Sequence, residues 1–375
     1  MLRLTDEGRG EVMAASKRIG ILTSGGDCAG LNAVIRAVVY RGIHGYGWDM
    51  IGIRRGSHGL MDSPPDAISL TLDMFTGEVL RMGGTVIGAI SHGNPFSFPM
   101  PDGSRIDRSG EIYAGYRELG LDGLIAVGGD GSFRVLARLA KEGGLNIIGI
   151  PKTIDNDVAG TENAIGFITA VNVATEALDR LQTTAASHSR IMILEVMGRD
   201  SGHIALSAGI AGGADIILIP EISFTIDALA RKIKEVETSW GRDFALVVVA
   251  EGCKTEDGTS VTISDTKERS RYGSIAHYLT DRLSQVTGWE SRFTILGHVQ
   301  RGGAPATTDR VLAAAFGVRA VDLIAQGKIG RVVVWQNRVV ADLPLEEVAG
   351  AARNVNVDGP LVRTARGLGI SFGDD

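Results

Sequence analysis

The sequence predicts an α/β, doubly wound fold in two domains, and three observations carry that expectation. Short apolar runs recur along the chain, helical patterns of about 10–15 residues separate many of them, and most runs are apolar throughout instead of alternating. Strands joined through helices read as βαβ units with parallel pairing. Strands apolar on both faces are those that helices cover on both sides. The length of 375 residues, at ~100–200 per domain, adds the domain count.

Taken in order, about 17 polar residues precede IGIL (Ile19 to Leu22), the first strand-like run. A glycine turn follows, then LNAVIRAVV, where Leu31, Val34, Ile35, Val38 and Val39 fall on one helical face. Further strand-like runs are MIGI from Met50, GLIAV from Gly123, NIIGI from Asn146 and RIMILEV from Arg190. IILI from Ile216, FALVVVA from Phe244, FTIL from Phe293 and RVVVW from Arg331 complete the set. No internal repeat or low-complexity linker interrupts them. In such sheets ligands bind beyond the carboxyl ends of the strands, and that is where the glycine-rich and acidic motifs of this chain sit.

Composition narrows the function classes. With 44% hydrophobic residues and no stretch approaching ~20 uninterrupted apolar residues, neither a disordered chain nor a helical membrane protein is expected. A formal charge of −6 argues against a sequence-independent grip on nucleic acid. The two cysteines, Cys28 and Cys253, lie far apart without metal-ligand spacing, so neither a disulfide framework nor a zinc site is expected. The N-terminus lacks the apolar run of a signal peptide, which makes the cytoplasm the default location. The 51 glycines, nearly double the ~7% usual share, cluster in pairs, as in tight loops beside ligands.

Five motifs carry chemistry. SGGDCAGLN, Ser24 to Asn32, joins a strand to a helix; Gly25 and Gly26 would let backbone N–H groups approach a phosphate, or simply form a tight turn. It is neither a Walker A loop nor a dinucleotide fingerprint, which demotes a nicotinamide enzyme. AVGGDGS, Ala126 to Ser132, offers Gly129, Gly131 and Ser132 to a phosphoryl donor and Asp130 to Mg²⁺, which needs only one or two carboxylates besides phosphates, or it simply forms a structural turn. IPKTIDNDVAGT, Ile150 to Thr161, sets Asp155 and Asp157 two apart beside Lys152 and Thr153; a carboxylate here could take the proton of an attacking hydroxyl, or cap an Asx-turn. In EVMGRDSGHIAL, Met197, Gly198 and Arg199 end a strand where a guanidinium could clamp a sugar phosphate. In TILGHVQRGG, His298 and Arg301 fit a further phosphate or sugar contact, with Arg292 upstream, and Glu251 could accept from sugar hydroxyls; taken singly these are ordinary surface residues.

In order, GGDCAGLN, GGDGS, PKTIDND, MGR, EG and GHVQRGG resemble the 6-phosphofructokinases, in the mixed-substrate subgroup of ATP- and pyrophosphate-dependent enzymes, over nearly the whole chain from Lys17 to about Arg331. The resemblance implies two Rossmann-like domains with the active site in the cleft between them. Residues 1–17 are then a flexible N-terminal extension. Residues 18–160 with about 300–350 form the donor domain, and about 161–299 with 351–375 the sugar-phosphate domain. It implies Asp155 as the base that activates the 1-hydroxyl of fructose 6-phosphate and Asp130 as the magnesium-associated carboxylate. Gly25, Gly26, Gly129, Gly131, Ser132 and Lys152 fall to the donor. Thr153, Asp157, Met197, Gly198, Arg199, Glu251, His298 and Arg301 fall to the substrate. Arg190 and Arg292 match positions that reach the substrate from a neighbouring subunit, implying a homo-oligomer, a dimer or tetramer. The partners implied are small molecules, with no nucleic acid and no membrane.

The donor implied is ATP. In pyrophosphate-dependent members an Asp usually stands at the position of Gly131, where it would crowd and repel the α-phosphate, with a Lys at the position of Lys152. This chain pairs Gly131 with Lys152, so pyrophosphate stays the alternative. It departs from the pattern at Ala29, where Pro is usual, and at Ser91-His92, near a usual donor-contacting Arg. Arg36 matches an effector-site arginine, but Tyr40 and Asp243 stand where basic residues are expected, so allosteric control does not carry over. Competing readings are a NAD-kinase-like enzyme sharing only the GGDG loop, a silent sugar-phosphate-binding subunit, and a nicotinamide dehydrogenase.

Overall fold

A computed structural model describes residues 16–266 and 269–375; residues 1–15 of the expected N-terminal extension lie outside the described residues. The chain runs β1 (Arg18–Ser24), α1 (Leu31–Tyr46), β2 (Asp49–Ile53), α2 (His58–Met61), β3 (Ala67–Leu70), β4 (Ala89–Ile90), the short pair β5 (Phe98–Pro99) and β6 (Arg105–Ile106), α3 (Ser109–Glu118), β7 (Gly123–Gly128), α4 (Asp130–Gly143) and β8 (Ile147–Pro151). It crosses through α5 (Phe167–His188) to β9 (Ile191–Val196), α6 (His203–Ala211), β10 (Ile216–Leu218), α7 (Ile226–Trp240), β11 (Ala245–Ala250), the pair β12 (Thr262–Thr266) and β13 (Arg269–Tyr272), α8 (Ile275–Thr287) and β14 (Ser291–Ile295). It returns by α9 (Thr307–Ala325) to β15 (Arg331–Gln336), β16 (Val339–Pro344) and α10 (Leu345–Val348), and ends in α11 (Pro360–Gly367).

Two sheets result. The larger has the order β16-β15-β8-β7-β1-β2-β3, with β4 also paired to β1; the smaller is β10-β11-β9-β14. The smaller is parallel throughout. The larger is parallel from β15 to β2 and turns antiparallel at both edges, through β16 and β3. The strands expected to be covered on both faces are so: every residue of β7, β8, β9 and β11 is buried. β14 differs, because it is the sheet edge and its Phe293 and Ile295 stay exposed. On α1 the five predicted positions, Leu31, Val34, Ile35, Val38 and Val39, are all fully buried.

β16 escapes the sequence reading. It follows β15 through Asn337 and Arg338, both at positive φ (50° and 65°), the backbone of a two-residue hairpin. Asn tolerates that region, but an Arg in second place gives no turn signal of the kind Gly would. Among the described residues no helix is long and apolar enough to cross a membrane.

Candidate functional site

Parallel strands discharge their loops at one edge, and here those loops meet. The loops after β1, β7 and β8 from the larger sheet and the loop after β9 from the smaller line a cavity of about 460 Å³. Of the residues expected at the site, it brings together Gly25, Gly26, Gly129, Asp130, Gly131, Ser132, Lys152, Thr153, Asp155, Asp157, Arg199 and Arg301.

On the glycine-loop side, Gly25 has φ 83°, a left-handed conformation that favours glycine. A Cβ on Gly26 would stand 2.9 Å from Arg301 Nη1, so the glycine lets the guanidinium lie against the loop, where it donates to Asp27 O at 3.0 Å. Lys152 is buried beneath the same loop and donates from Nζ to Gly26 O at 2.5 Å. Burial pulls its ammonium below the usual lysine range. Ser132 and Ser24 hydroxyls meet at 3.0 Å across the two loops. Gly131 is unlike its neighbours: a Cβ there meets nothing within 4 Å, and its φ is not in the left-handed region. Neither packing nor backbone demands glycine at that position.

The acidic loop follows β8. Asp155 is buried, its N–H donates to Thr153 Oγ1 at 3.0 Å, and its Oδ1 accepts no hydrogen bond. Arg199 Nε lies 3.7 Å from Asp155 Oδ2, on the far wall. Burial, and then the neighbouring Asp157 charge, push the Asp155 carboxyl up to about 6. Asp157 Oδ1 is likewise buried without a hydrogen-bond partner, and burial raises that carboxyl too. Asp130 is the first residue of α4; it accepts from Gly350 N–H at 3.0 Å and pairs with Arg134 one turn on.

The remaining expected residues fall into two groups. Met197, Gly198, Glu251 and His298 follow β9, β11 and β14 at the carboxyl ends of the smaller sheet, beside the cavity but not in its lining. Glu251 accepts from Arg199 N–H at 3.2 Å, Met197 N–H donates to the buried Gln300 at 2.7 Å, and Gly198 and Arg199 have φ 150° and 51°. Arg190 and Arg292 do not join them. Both sit toward the amino ends of β9 and β14, about 20 Å (Arg190) and about 10 Å (Arg292) along the strands from their carboxyl ends, and share Glu290.

Sequence reasoning missed part of the lining. Ser91 to Pro95 forms one wall, with His92 in the cavity as its position suggested. Arg134, Ser201 and Asn354 also line it. Ser201 stands inside the MGRDSG motif and was findable there; Asn354, in the irregular segment after α10, carries no signal.

The chain matches the family profile described as phosphofructokinase over residues 18–324. It is 56% identical to ATP-dependent 6-phosphofructokinase 1 of Synechocystis sp., over 97% of this chain and 100% of the relative. It is 48% identical to ATP-dependent 6-phosphofructokinase of Thermosynechococcus vestitus, over 96% and 94%. Among solved structures, phosphofructokinase from Pichia pastoris matches with TM-score 0.77 and 31% identity, over 92% of this chain; the match spans only 36% of that longer chain. A pyrophosphate-dependent phosphofructokinase from Marinobacter aquaeolei shares the fold, with TM-score 0.75 at 21% identity, over 91% of this chain and 86% of that one. Family profile, near-full-length relatives and cleft agree, and this chain belongs to the phosphofructokinase family.

Proposed function

We propose that this chain transfers the γ-phosphoryl group of ATP to the 1-hydroxyl of fructose 6-phosphate, giving fructose 1,6-bisphosphate and ADP, a committed step of glycolysis. The observation that carries the reading is Asp155: a buried carboxylate with one oxygen unpartnered, between the glycine loops with Arg301 on one wall and Arg199 on the other. The 1-hydroxyl oxygen bonds to the γ-phosphorus as the bridging bond to ADP breaks, and its proton passes to Asp155. Little covalent work falls to the protein, so positioning and charge neutralisation dominate. Lys152, Gly25, Gly26, Gly129, Gly131 and Ser132 hold the donor. Arg199 and Arg301, with Thr153, Asp157, Met197, Gly198, Glu251 and His298, hold the sugar phosphate.

The donor set fits a divalent cation. Asp157 Oδ1 is buried and unpartnered, and Asp130 presents a second carboxylate to the same cavity. Mg²⁺ needs only one or two carboxylates and takes further ligands from substrate phosphates. Bound there, Mg²⁺ would neutralise charge on the donor phosphates.

The larger sheet, about 18–160 with 300–350, forms the donor lobe in this reading, and about 161–299 with 351–375 the sugar lobe. Arg190 and Arg292 point to a homo-oligomer, dimer or tetramer, in which each subunit lends its pair to a neighbour's sugar phosphate. The reaction belongs in the cytoplasm, where both small-molecule substrates are found. ATP is favoured by the open space at Gly131, which an α-phosphate can occupy. Initial rates with fructose 6-phosphate and Mg²⁺, given ATP or pyrophosphate separately, test this directly. Turnover with ATP supports it. Turnover with pyrophosphate alone means that Lys152 outweighs Gly131 and overturns the donor assignment.

A further inference from the structure

A six-residue strap near the C-terminus, Gly350 to Val355, touches three parts of the cleft at once. Gly350 N–H donates to Asp130 Oδ1 at 3.0 Å on the glycine-loop side. Ala352 bridges antiparallel to Val158, and Ala352 and Asn354 line the cavity. Val355 N–H donates at 2.8 Å to Glu221 Oε1, whose carboxylate also accepts from Gly202 N–H before α6. At the centre is Arg353. Its N–H donates to Asp157 O at 2.8 Å, and its guanidinium donates to Asn156 O at 3.0 and 3.2 Å and to Glu162 O at 3.1 Å.

Those carbonyls belong to the loop that carries Asp155 and Asp157. Asn156 holds a left-handed φ of 54°, which Asn tolerates. Its own side chain ties the loop to Glu162 O at 3.1 Å and Ala164 N–H at 2.9 Å. Arg353 closes the same turn from behind, nearly 200 residues away in sequence: the planar fork reaches two carbonyls at once, which an ammonium on a flexible stem cannot do with equal geometry. Arg353 is in turn held by His203, whose Nε2 lies 3.1 Å from Arg353 O. A carbonyl only accepts, so Nε2 carries the proton. Burial and the Arg353 charge lower His203 to about 4, so that imidazole stays neutral near pH 7.

We infer that Arg353 is a positioning residue of the transfer reaction: its guanidinium sets the Asp155–Asp157 turn from behind, while Arg353 itself stays out of the cavity lining. The inference rests on the proposed phosphoryl transfer for its kinetic consequence only. Carbonyls released from the fork leave the turn free to shift, and a displacement of about 1 Å at a reacting group costs up to ~100-fold in rate.

The test compares wild type, Arg353→Lys and Arg353→Ala by steady-state kinetics with fructose 6-phosphate and MgATP, and by amide hydrogen exchange of the 153–164 segment. Expected for Arg353→Ala are a kcat lowered ~10- to 100-fold, a KM for fructose 6-phosphate within about threefold, and faster exchange in 153–164. Guanidinium chloride at tens of millimolar, but not sodium chloride, is expected to restore part of kcat. Arg353→Lys is expected between the two, and it carries the test if Arg353→Ala does not fold. Unchanged kcat in both variants, or wild-type exchange in 153–164, overturns the inference, as does equal loss of kcat and sugar-phosphate affinity without guanidinium rescue. Exchange needs no substrate, so a wild type inert towards fructose 6-phosphate counts against the proposed function, and the exchange result alone then decides on the strap.

Discussion

Asp155 shows how one buried carboxylate trades stability for chemistry. Its carboxyl is pushed up to about 6, so the ionised form that the proposed base role requires is lost as pH falls through that value. We expect kcat/KM to fall with an acid limb near pH 6. Asp155→Asn should keep sugar-phosphate binding by calorimetry yet lose about 10²–10⁴ in kcat, the range of a general base. Linkage adds a second readout. A folded-state value above the unfolded one means that the fold holds the proton more tightly, so this contribution is present below about pH 4 and is lost as pH rises through about 6. Asp155→Asn should therefore raise Tm above wild type at about pH 8, and the difference should vanish near pH 4. Gly131 is the complementary case, a glycine that the protein itself does not require. As the second residue of α4, Gly131→Asp should leave Tm nearly unchanged, since a negative charge suits a helix N-terminus. The same charge should raise the KM for ATP by ~10-fold or more through repulsion of the phosphates. Arg353 carried no sequence signal, because nothing in AARNVNV says which loop its guanidinium will meet.

At the scale of elements, Asp309 decides how the two sheets are joined. This residue of α9 is fully buried and accepts from Gly166 N–H at 3.0 Å, Thr169 N–H at 2.8 Å and Thr169 Oγ1 at 2.5 Å, capping α5 from a different helix. α5 has no side-chain cap of its own, and it leads from the acidic loop into the smaller sheet. Asp309→Ala should cost about 2–4 kcal/mol, because it strands buried donors and removes charge-assisted bonds; urea unfolding measures it. Local sequence shows only an Asp in the first turn of α9. Strands were legible where apolar residues ran uninterrupted, as in β7 and β11. They were not legible at the sheet edges: the apolar residues of β16 are broken by Asp342 and Pro344, and β3 is only four residues long, so neither gives the uninterrupted run of a covered strand.

At the scale of the molecule, Arg190 and Arg292 sit at the wrong end of their strands to serve their own cleft. A shared-site oligomer makes a sharp prediction: Asp155→Ala and Arg190→Ala subunits, each inactive alone, should regain activity when mixed and reassembled. Random pairing restores one intact site per mixed dimer, roughly a quarter of wild-type turnover. No recovery would place both arginines outside the reaction. The sequence by itself determined the α/β class, the identity of the site motifs and the family resemblance. These rest on local grammar, apolar runs and glycine-acid clusters at strand ends, which neighbouring residues write together. Tertiary structure alone decided which motifs meet. It gathered Lys152 under Gly26 and set Arg199 across from Asp155. It left Arg190 and Arg292 about 20 Å and about 10 Å short of the carboxyl ends of their strands, and it brought Arg353 behind a loop nearly 200 residues distant. The reason is physical: strand direction and sheet order fix which loops share an edge, and burial in that shared cleft is what raises the carboxyls of Asp155 and Asp157.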